Sequence, residues 1–448
     1  MTRREFPMAA VAGMRTAIAD RPDVVVIVLD DLGCHDLGYL GADDLKTPNI
    51  DALARAGTIF SNWYSNAPVC APARSSILSG RFPARAGVPT NGRSLTPGLP
   101  NLGSVFRAAG YRTAAIGKWH LGSDATTCPN AHGFDYFYGF HSGCVDFFSH
   151  RFYWGEPRMV NYHDLWRNRT EIFEDGQYLT ERIGEEAVRF IRGVGRDPLM
   201  AFVAFNAPHY PMHAPESYLR RFESLPAERR VYAAMIAAVD DGVGAIRRAL
   251  EASGRWDNTL VFFVGDSGAT TEKRAGLNQQ YATAGDNAPF KGFKFSLFDG
   301  GMHVPGFITW TGRWKGERRM TQPVMSVDIL PTACEAAGLR LPTGLDGSSL
   351  VKVLSQEAPS PHDAIYWSSG EQLAVRRGRW KLMVRGRVYD RSPEGHQPLT
   401  GEDALWLSDL DTDPGETRNL RRLHPNIADE LVTLAARWLE TQNVVNLR

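Results

Sequence analysis

Short apolar runs alternate with longer amphipathic segments over most of the chain. Continuous runs of this kind are typical of strands buried on both faces of a parallel sheet. They lie at 24–29, 113–117, 199–205 and 260–264. Between them, segments such as 178–191 and 232–251 repeat apolar residues at three- and four-residue steps, as amphipathic helices do. The alternation predicts an α/β fold with a large doubly wound sheet, mixed but mostly parallel, flanked by helices.

The pattern changes near residue 350. A Pro- and Ser-containing stretch at 356–362 is typical of a linker. Short strand-like runs follow at 364–367, 373–376, 380–384 and 405–409, and an amphipathic helix follows Pro425. We therefore predict a smaller C-terminal antiparallel sheet plus helix. The predicted divisions are a leader or signal at 1–20, a catalytic domain at 21–355 and an α+β subdomain at 356–448.

Composition narrows the class of protein. The 448 residues are 43% hydrophobic and 22% charged, which suits a globular chain with one large and one smaller unit. The formal net charge of +0 argues against a nucleic-acid partner and a polybasic membrane surface. No apolar stretch has the length of a membrane span. An anionic substrate would therefore need local cations.

The cysteines and the N-terminus carry information about the cellular compartment in which the protein is found. The five cysteines are Cys34, Cys70, Cys128, Cys144 and Cys334. They lack the paired spacing of a zinc site, so we expect free thiols, with a Cys128–Cys144 disulfide as the alternative. Arg3 and Arg4 before a short apolar run are similar to a twin-arginine signal. We favour a cytoplasmic location, with periplasmic export as the alternative. The oligomeric state cannot be read from the sequence.

Polar residues follow each predicted strand within a few positions. They are Asp30, Asp31, Lys118, His120, His209, Asp266 and Ser267. In a doubly wound sheet the ligand site forms at the carboxyl ends of the strands, so we expect these side chains to converge. Adjacent carboxylates repel unless a cation joins them, and oxygen ligands suit Ca²⁺ or Mg²⁺. Any single Asp could instead cap a helix or a turn.

The stretch around Cys70 reads Cys-x-Pro-x-Arg, followed after four residues by Ser-Gly-Arg. Helical spacing after Pro72 and a stop at Gly80 place Cys70 at a helix N-terminus, where backbone N–H groups favour negative charge. Arg74 lies one turn on. The stretch therefore suits an oxyanion, and a buried structural cysteine beside a helix start is the alternative.

This stretch resembles the signature of the type I sulfatases, a formylglycine-dependent, arylsulfatase-like family of the alkaline phosphatase superfamily. In that family a formylglycine-generating enzyme oxidises the cysteine to an aldehyde during maturation. The resemblance extends to Gly-Lys-Trp-His-Leu-Gly at 117–122, to Ala-Pro-His ending at His209 and to residues 293–305. It implies a Ca²⁺ site, with Mg²⁺ as the alternative. The implied metal ligands are Asp30, Asp31, modified Cys70, Asp266 and Ser267, where the family usually has Asn or His instead of Ser267.

The same resemblance implies roles for five further side chains. Arg74 and the metal would activate the attacking hydroxyl, which belongs to the hydrated aldehyde. Lys118, Lys294 and His209 would stabilise the sulfate oxygens. His209 with Lys294 would protonate the leaving oxygen, and His120 would accept the second proton. Lys291 is the alternative to Lys294.

Three residues near these motifs are candidate substrate contacts. His141 and Ser142 end an aromatic stretch that lies beside the pocket in the family, although such aromatic density also suits a core. His303 stands where the family has Arg. In the same motif Phe295 replaces Gly and Asp299 replaces Glu.

The sequence thus predicts a sulfate ester hydrolase that cleaves a sugar or aryl sulfate. One alternative is a phosphonate or phosphate ester hydrolase of the same superfamily. Another is a non-catalytic ligand-binding relative in which Cys70 stays a thiol.

Overall fold

The computed structural model describes residues 21–153 and 161–442. Its strands are β1 (Asp23–Leu29), β2 (Thr58–Phe60), β3 (Trp63–Tyr64), β4 (Arg112–Lys118), β5 (Tyr136–Phe140), β6 (Trp166–Arg167), β7 (Thr170–Glu171), β8 (Leu199–Ala204), β9 (Thr259–Gly265), β10 (Gly306–Thr309), β11 (Arg318–Met320), β12 (Val324–Met325), β13 (Ile365–Ser369), β14 (Gln372–Arg377), β15 (Trp380–Val384) and β16 (Leu405–Asp409). Its α-helices are α1 (Pro48–Arg55), α2 (Cys70–Ser79), α3 (Leu102–Ala108), α4 (Leu179–Gly193), α5 (Glu216–Leu219), α6 (Ala227–Ala252), α7 (Asp299–Met302), α8 (Ile329–Ala336), α9 (Val351–Gln356) and α10 (Pro425–Gln442).

A ten-stranded sheet has the order β11-β2-β10-β9-β1-β8-β4-β5-β6-β7. Its central strands β9, β1, β8, β4 and β5 are all parallel. β10 is antiparallel to β9 and β2, and β6 is antiparallel to β5 and β7. The predicted large, mostly parallel sheet is confirmed, and the carboxyl ends of its central strands share one edge.

Both faces of this sheet are covered by helices. Val25 and Ile27 of β1 pack in a core with residues of α4 and α6. Val24 and Val26, which point the other way, pack with residues of α2 and α8. None of the helices in the described ranges has the length and apolar character needed to cross a membrane.

The C-terminal segment forms a separate four-stranded antiparallel sheet in the order β13-β14-β15-β16. One face packs against α10 through Val375, Leu382 and Leu407. The other face joins a core that includes Leu297 and Phe298 of the main body. The predicted small sheet plus helix is confirmed. The boundary at 355/356 stays a prediction, and the predicted leader at 1–20 lies outside the described residues.

Glycines let β4 and β5 approach closely beside the site edge. Gly117 and Gly139 are paired in register, and a Cβ on Gly139 would lie 1.9 Å from the Gly117 carbonyl oxygen. Gly117 has a φ of 102°, in the region that favours glycine. The chain turns here immediately before the predicted site residues Lys118 and His120.

Candidate active site

Cys70 is the first residue of α2, as the sequence predicts. Its side chain is 1% exposed, and its Sγ lies 3.8 Å from Asp31 Oδ1. Burial and the neighbouring Asp30 charge raise the pKa of the Cys70 thiol well above its usual range. An unmodified Cys70 would therefore be protonated at neutral pH, which makes it a weak nucleophile and a poor metal ligand.

Four of the predicted residues form a compact group. Asp30, Asp31, Cys70 and His209 each offer one atom that lies within 4.8 Å of the other three. They come from the ends of β1 and β8 and from the start of α2. Asp31 has a φ of 59°, an uncommon conformation that is often found at functional sites.

Three buried cations surround this group. Lys118 Nζ lies 2.5 Å from Asp30 Oδ2, and Lys294 Nζ lies 2.7 Å from Asp31 Oδ2. Lys294 Nζ also lies 3.3 Å from His209 Nε2. The third cation is Arg74. We call these three cations, the four grouped residues and Asp266 the catalytic cluster.

Arg74 connects the elements of the cluster. Its Nε donates to Asp266 Oδ2 at 2.9 Å, and its Nη1 donates to the Lys118 carbonyl at 3.1 Å. Its Nη2 is 3.4 Å from Asp30 Oδ1. Arg74 therefore holds the ends of three strands together, in addition to facing the anion site.

Asp266 and Ser267 lie beside the compact group. Asp266 Oδ1 accepts a hydrogen bond from the Asp31 backbone N–H at 3.1 Å. The Ser267 hydroxyl donates to Asp31 Oδ1 at 3.1 Å. Both residues are fully buried, and both contact Asp31. The structure thus brings together all five predicted metal ligands.

The three carboxylates of the cluster face three cations, yet their pKa values are shifted in different directions. Burial alone would raise the pKa of Asp30, but the Lys118 charge holds it well below its usual range. Burial, opposed by Lys294 and reinforced by Asp30, raises the pKa of Asp31 to about 6. Burial and the Asp30 charge raise the pKa of Asp266 to about 7. A bound divalent cation would stabilise the ionised forms.

The donor set fits such a cation. Carboxylate oxygens are the ligands that Ca²⁺ and Mg²⁺ prefer. Within the described residues, Asp30 Oδ1 is buried without a hydrogen-bond partner. His209 donates from Nδ1 to the Tyr210 carbonyl at 2.8 Å, and burial lowers its pKa, so its Nε2 is unprotonated and faces the cluster.

Lys291, the alternative to Lys294, lies elsewhere. Its Nζ is 3.9 Å from the centroid of the Trp406 ring and 3.4 Å from the Glu416 carbonyl oxygen. Of the two, Lys294 is the residue that reaches the cluster.

The loop that carries Lys294 is fixed by the C-terminal sheet and its loops. Phe293 N–H donates to the Val388 carbonyl at 3.2 Å, and the Ser296 hydroxyl donates to the Arg387 carbonyl at 2.6 Å. Gln372 of β14 donates to the Phe295 carbonyl at 2.9 Å. These bonds position the residues on both sides of Lys294.

His120, His141 and Ser142 line one polar cavity of about 460 Å³. His120 is a neighbour of Lys118 in sequence and has a φ of 61°. Burial and the Lys118 charge lower the pKa of His120, and its Nδ1 is buried without a hydrogen-bond partner in the described ranges. β4 ends at Lys118 and the chain then turns, so Lys118 and His120 do not share a strand face.

His303 does not join the site, contrary to the predicted substrate contact. It is 5% exposed, with Nδ1 at 3.1 Å from Cys34 Sγ and Nε2 at 2.7 Å from the Ser61 carbonyl oxygen. Both ring nitrogens are used by the protein, so His303 has none left for a substrate. It packs against Tyr64 and Phe290 instead.

Asp299 belongs to a second buried cluster. Its main partner there is Lys381, which lies 82 residues later in the sequence. Lys381 Nζ lies 2.5 Å from Asp299 Oδ1, and Tyr64 hydroxyl donates to Asp299 Oδ2 at 2.7 Å. Glu416 Oε2 accepts from the Asp299 N–H at 2.7 Å. We call Tyr64, Asp299, Arg376, Lys381 and Glu416 the subdomain cluster, since it joins the two sheets.

Sequence reasoning missed two acidic neighbours of the site. Asp164 is buried and accepts hydrogen bonds from the backbone N–H groups of His141 and Ser142 at 3.1 and 2.8 Å. Glu272 Oε2 lies 3.5 Å from Lys294 Nζ. Neither residue lies in a motif or directly after a predicted strand, so the sequence carries no signal for them.

All five cysteines are buried, and each is outside a disulfide. The alternative Cys128–Cys144 disulfide is absent from the described structure.

Known proteins are similar to this chain in sequence and in fold. A family model described as Sulfatase matches residues 22–339. The N-acetylgalactosamine-6-sulfatase of Rattus norvegicus is 30% identical over 84% of this chain and 74% of that protein. Arylsulfatase J of Mus musculus is 27% identical over 98% of this chain and 78% of that protein. The crystal structure of Ps i-CgsB in complex with k-i-k-neocarrahexaose has a TM-score of 0.80 and 28% identity, covering 93% of this chain and 92% of that one.

The family match spans the strands and the helix that carry Asp30, Cys70, Lys118, His209 and Asp266. The geometry of the cluster and these matches lead to one conclusion: the chain belongs to the sulfatase family of the alkaline phosphatase superfamily and is a sulfuric ester hydrolase.

Proposed function

We propose that the chain cleaves a sulfate monoester of a saccharide, with the sulfate held by the catalytic cluster and the sugar held in the adjoining cavity. The observation that carries this proposal is the position of His120, which follows the cluster residue Lys118 by two residues and also lines the cavity. The cations that would bind the sulfate group therefore lie beside a cavity with room for the alcohol part of the ester.

The cavity suits a ring with several hydroxyl groups. Its volume of about 460 Å³ falls in the usual range for small-molecule sites. Its lining combines hydrogen-bonding side chains such as Ser123, Asp124 and His141 with the rings of Tyr162 and Trp166. A flat aryl group would leave the buried His141 Nε2 unpaired, at a cost in binding.

His141 offers the cavity one polar side-chain atom, Nε2. Its Nε2 is buried without a hydrogen-bond partner in the described part of the chain, and its side chain is 7% exposed. A sugar hydroxyl could pair with it. Two relatives support a saccharide: the rat protein is named for N-acetylgalactosamine, and the Ps i-CgsB crystal contains a neocarrahexaose.

Calcium is the proposed metal, held by Asp30, Asp31, Asp266, Ser267 and the modified side chain at position 70. When bound, the ion would supply positive charge for the sulfate oxygens. A set of five oxygen-donor residues suits Ca²⁺ better than Mg²⁺, which usually keeps several waters and binds through one or two carboxylates.

Cys70 is the proposed source of the nucleophile. Oxidation to formylglycine would replace a protonated thiol with a group whose hydrate offers hydroxyls to the cluster. The position fits, because the side chain at 70 contacts Asp31 and lies at a helix N-terminus.

The remaining side chains would bind oxygens and move protons. Lys118 and Lys294, both buried, would stabilise charge that develops on the sulfate. Lys294 with His209, 3.3 Å apart, would deliver a proton to the leaving oxygen. His120, kept neutral by burial, would accept a proton from the nucleophile side.

Turnover of three matched substrates tests the reaction class. We expect hydrolysis of 4-nitrophenyl sulfate, with much lower kcat/KM for the matching phosphonate monoester and phosphate diester. The Cys70→Ala variant should abolish turnover and keep the wild-type circular dichroism spectrum. Faster cleavage of the phosphonate, or a Cys70→Ala variant as active as wild type, would contradict the proposal.

Two further measurements test the finer points. Mass spectrometry of the peptide containing residue 70 should show one sulfur replaced by one oxygen with the loss of two hydrogens, whereas an unchanged thiol in an active preparation would exclude formylglycine. N-acetylgalactosamine 6-sulfate and galactose 4-sulfate serve as saccharide probes. At least one should give a higher kcat/KM than 4-nitrophenyl sulfate.

A further inference from the structure

A row of aromatic rings leads away from the catalytic cluster. Its residues come from a later part of the chain than the residues that line the cavity. It starts with Phe295, whose ring centroid is 5.6 Å from Lys294 Nζ. The Tyr389 ring follows at 5.4 Å, the His396 ring at a further 5.2 Å and the Tyr281 ring at a further 5.5 Å. We call these four residues the aromatic row.

The rings of this row are neither core nor fully exposed. All four residues are half-buried, so part of each remains accessible to solvent. Phe295 and Tyr389 have φ values of 76° and 54°, where large side chains are uncommon. The chain therefore keeps large rings at two positions where glycine would be less strained.

Two cations lie at the far end of the row. Lys273 Nζ is 4.9 Å from the centroid of the Tyr281 ring. Arg391 donates to the carbonyls of Ala282 and Thr283, both at 3.2 Å, which places its guanidinium beside the same loop. The nearby cations Arg274 and Lys294 both pair with Glu272, whereas neither Lys273 nor Arg391 forms an ion pair with a carboxylate within the described ranges. Their charges remain available to an anion.

We propose that the aromatic row, with Lys273 and Arg391, binds saccharide units beyond the one that is hydrolysed, and that these units carry further sulfate groups. The substrate is then a multiply sulfated oligosaccharide. This inference rests on the proposed function, because the row is continuous with the cluster through Lys294. Aromatic faces can cover the apolar C–H faces of sugar rings, and the two cations complement sulfate charge.

Charge complementarity favours this occupant over a neutral glycan. The whole chain has a formal net charge of +0, so a local pair of unpaired cations is not a consequence of a basic protein. A monosaccharide sulfate or an aryl sulfate would leave the row empty.

Inhibition of 4-nitrophenyl sulfate turnover tests the proposal. The inhibitors are N-acetylgalactosamine 6-sulfate with a chondroitin 6-sulfate tetrasaccharide, and galactose 4-sulfate with an ι-carrageenan tetrasaccharide. For at least one pair, the tetrasaccharide should have an inhibition constant about tenfold below that of its monosaccharide. That advantage should shrink as salt is added.

Variants assign the advantage to the row. Lys273→Ala, Tyr281→Ala and Tyr389→Ala should each reduce the ratio of the two inhibition constants by about three- to tenfold. Tyr389→Phe keeps the ring and should keep the ratio. Lys315→Ala removes an exposed lysine elsewhere and should also keep it. Tyr281 and Lys273 lie in a surface loop. The Tyr281→Ala and Lys273→Ala variants therefore test the proposal even if Tyr389→Ala fails to fold.

Two results would overturn the proposal. One is a wild-type protein that binds neither tetrasaccharide more tightly than its monosaccharide. The other is an advantage that survives in the Lys273→Ala and Tyr281→Ala variants. Failure of the proposed function is distinct, since it would appear as absent 4-nitrophenyl sulfate turnover in the wild-type enzyme.

Discussion

The catalytic cluster and the subdomain cluster contain the same kinds of side chain but differ in how completely these are paired. Both are buried and both combine carboxylates with cations. In the catalytic cluster, Asp30 Oδ1 lacks a hydrogen-bond partner among the described residues, and the nearest cationic atom is Arg74 Nη2 at 3.4 Å. In the subdomain cluster, every buried side-chain polar atom in those ranges has a partner, including both carboxylate oxygens of Asp299.

This difference separates a binding site from a structural contact. Burying a polar atom without a partner costs free energy, and a cation bound at the catalytic cluster would pair with Asp30 Oδ1. The subdomain cluster is complete by itself and joins two sheets. The catalytic cluster keeps an unpaired carboxylate oxygen, as a site for a cation would.

The largest expected effect comes from removing a lysine of the catalytic cluster. Lys294→Met should lower kcat/KM for 4-nitrophenyl sulfate by about 10²–10³-fold, because a buried charge that faces the sulfate is lost. Lys291→Met is the matched control, since Lys291 lies against Trp406, and it should stay within about threefold of wild type. Equal losses in both variants would show that Lys294 has no special role.

The corresponding change in the subdomain cluster should affect stability. Lys381→Met leaves Asp299 and Glu416 buried without their cation, which should lower the free energy of unfolding by about 3–5 kcal/mol. Urea denaturation measures this change. Lys315→Met, at an exposed position, should cost less than about 0.5 kcal/mol. A Lys381→Met variant as stable as wild type would remove the structural role assigned to this cluster.

Metal should stabilise the protein through the catalytic cluster. After chelation, Ca²⁺ at about 100 times its Kd should raise the free energy of unfolding by about 2.7 kcal/mol, and the melting temperature with it. The Asp31→Asn variant should lose most of this rise. A larger shift with Mg²⁺ than with Ca²⁺ would reassign the ion, and an equal shift in Asp31→Asn would place the ion elsewhere.

The smallest effect concerns pH and Glu416. Burial, opposed by Lys381 and reinforced by Asp299, raises the pKa of Glu416 to about 7. The folded state then holds a proton that the unfolded state releases near pH 4.5, so stability should fall as pH rises from about 4.5 to 7. Melting temperatures across this range should decline less in Glu416→Gln than in wild type. Parallel pH profiles would contradict the assignment.

The sequence predicted the parts of the site that follow strands or lie in motifs. Asp30, Lys118, His209 and Asp266 end parallel strands, and the fold brings such ends to one edge. Periodicity located those strands because buried parallel strands are continuously apolar. Cys70 at the start of a helix followed from Pro72 and Gly80.

Other parts depend on contacts that no local pattern encodes. Asp164 and Glu272 lie in loops, and their roles exist only because the chain brings them to His141 and Lys294. His303 looked like a site residue from its motif, but Cys34 and Ser61 occupy its nitrogens. Tyr389 contacts Phe295, which lies 94 residues earlier in the sequence, because the C-terminal sheet brings the two together.

The enclosure of Cys70 sets an order of events during synthesis. The side chain at 70 is covered by Asp31 and by groups that leave the ribosome much later, among them Lys294, whose loop is fastened by Gln372. An enzyme that oxidises this thiol needs access before those later segments fold over it. In protein made in a host without that enzyme, residue 70 would therefore stay a cysteine thiol. We expect that adding the enzyme to the folded protein would not convert it.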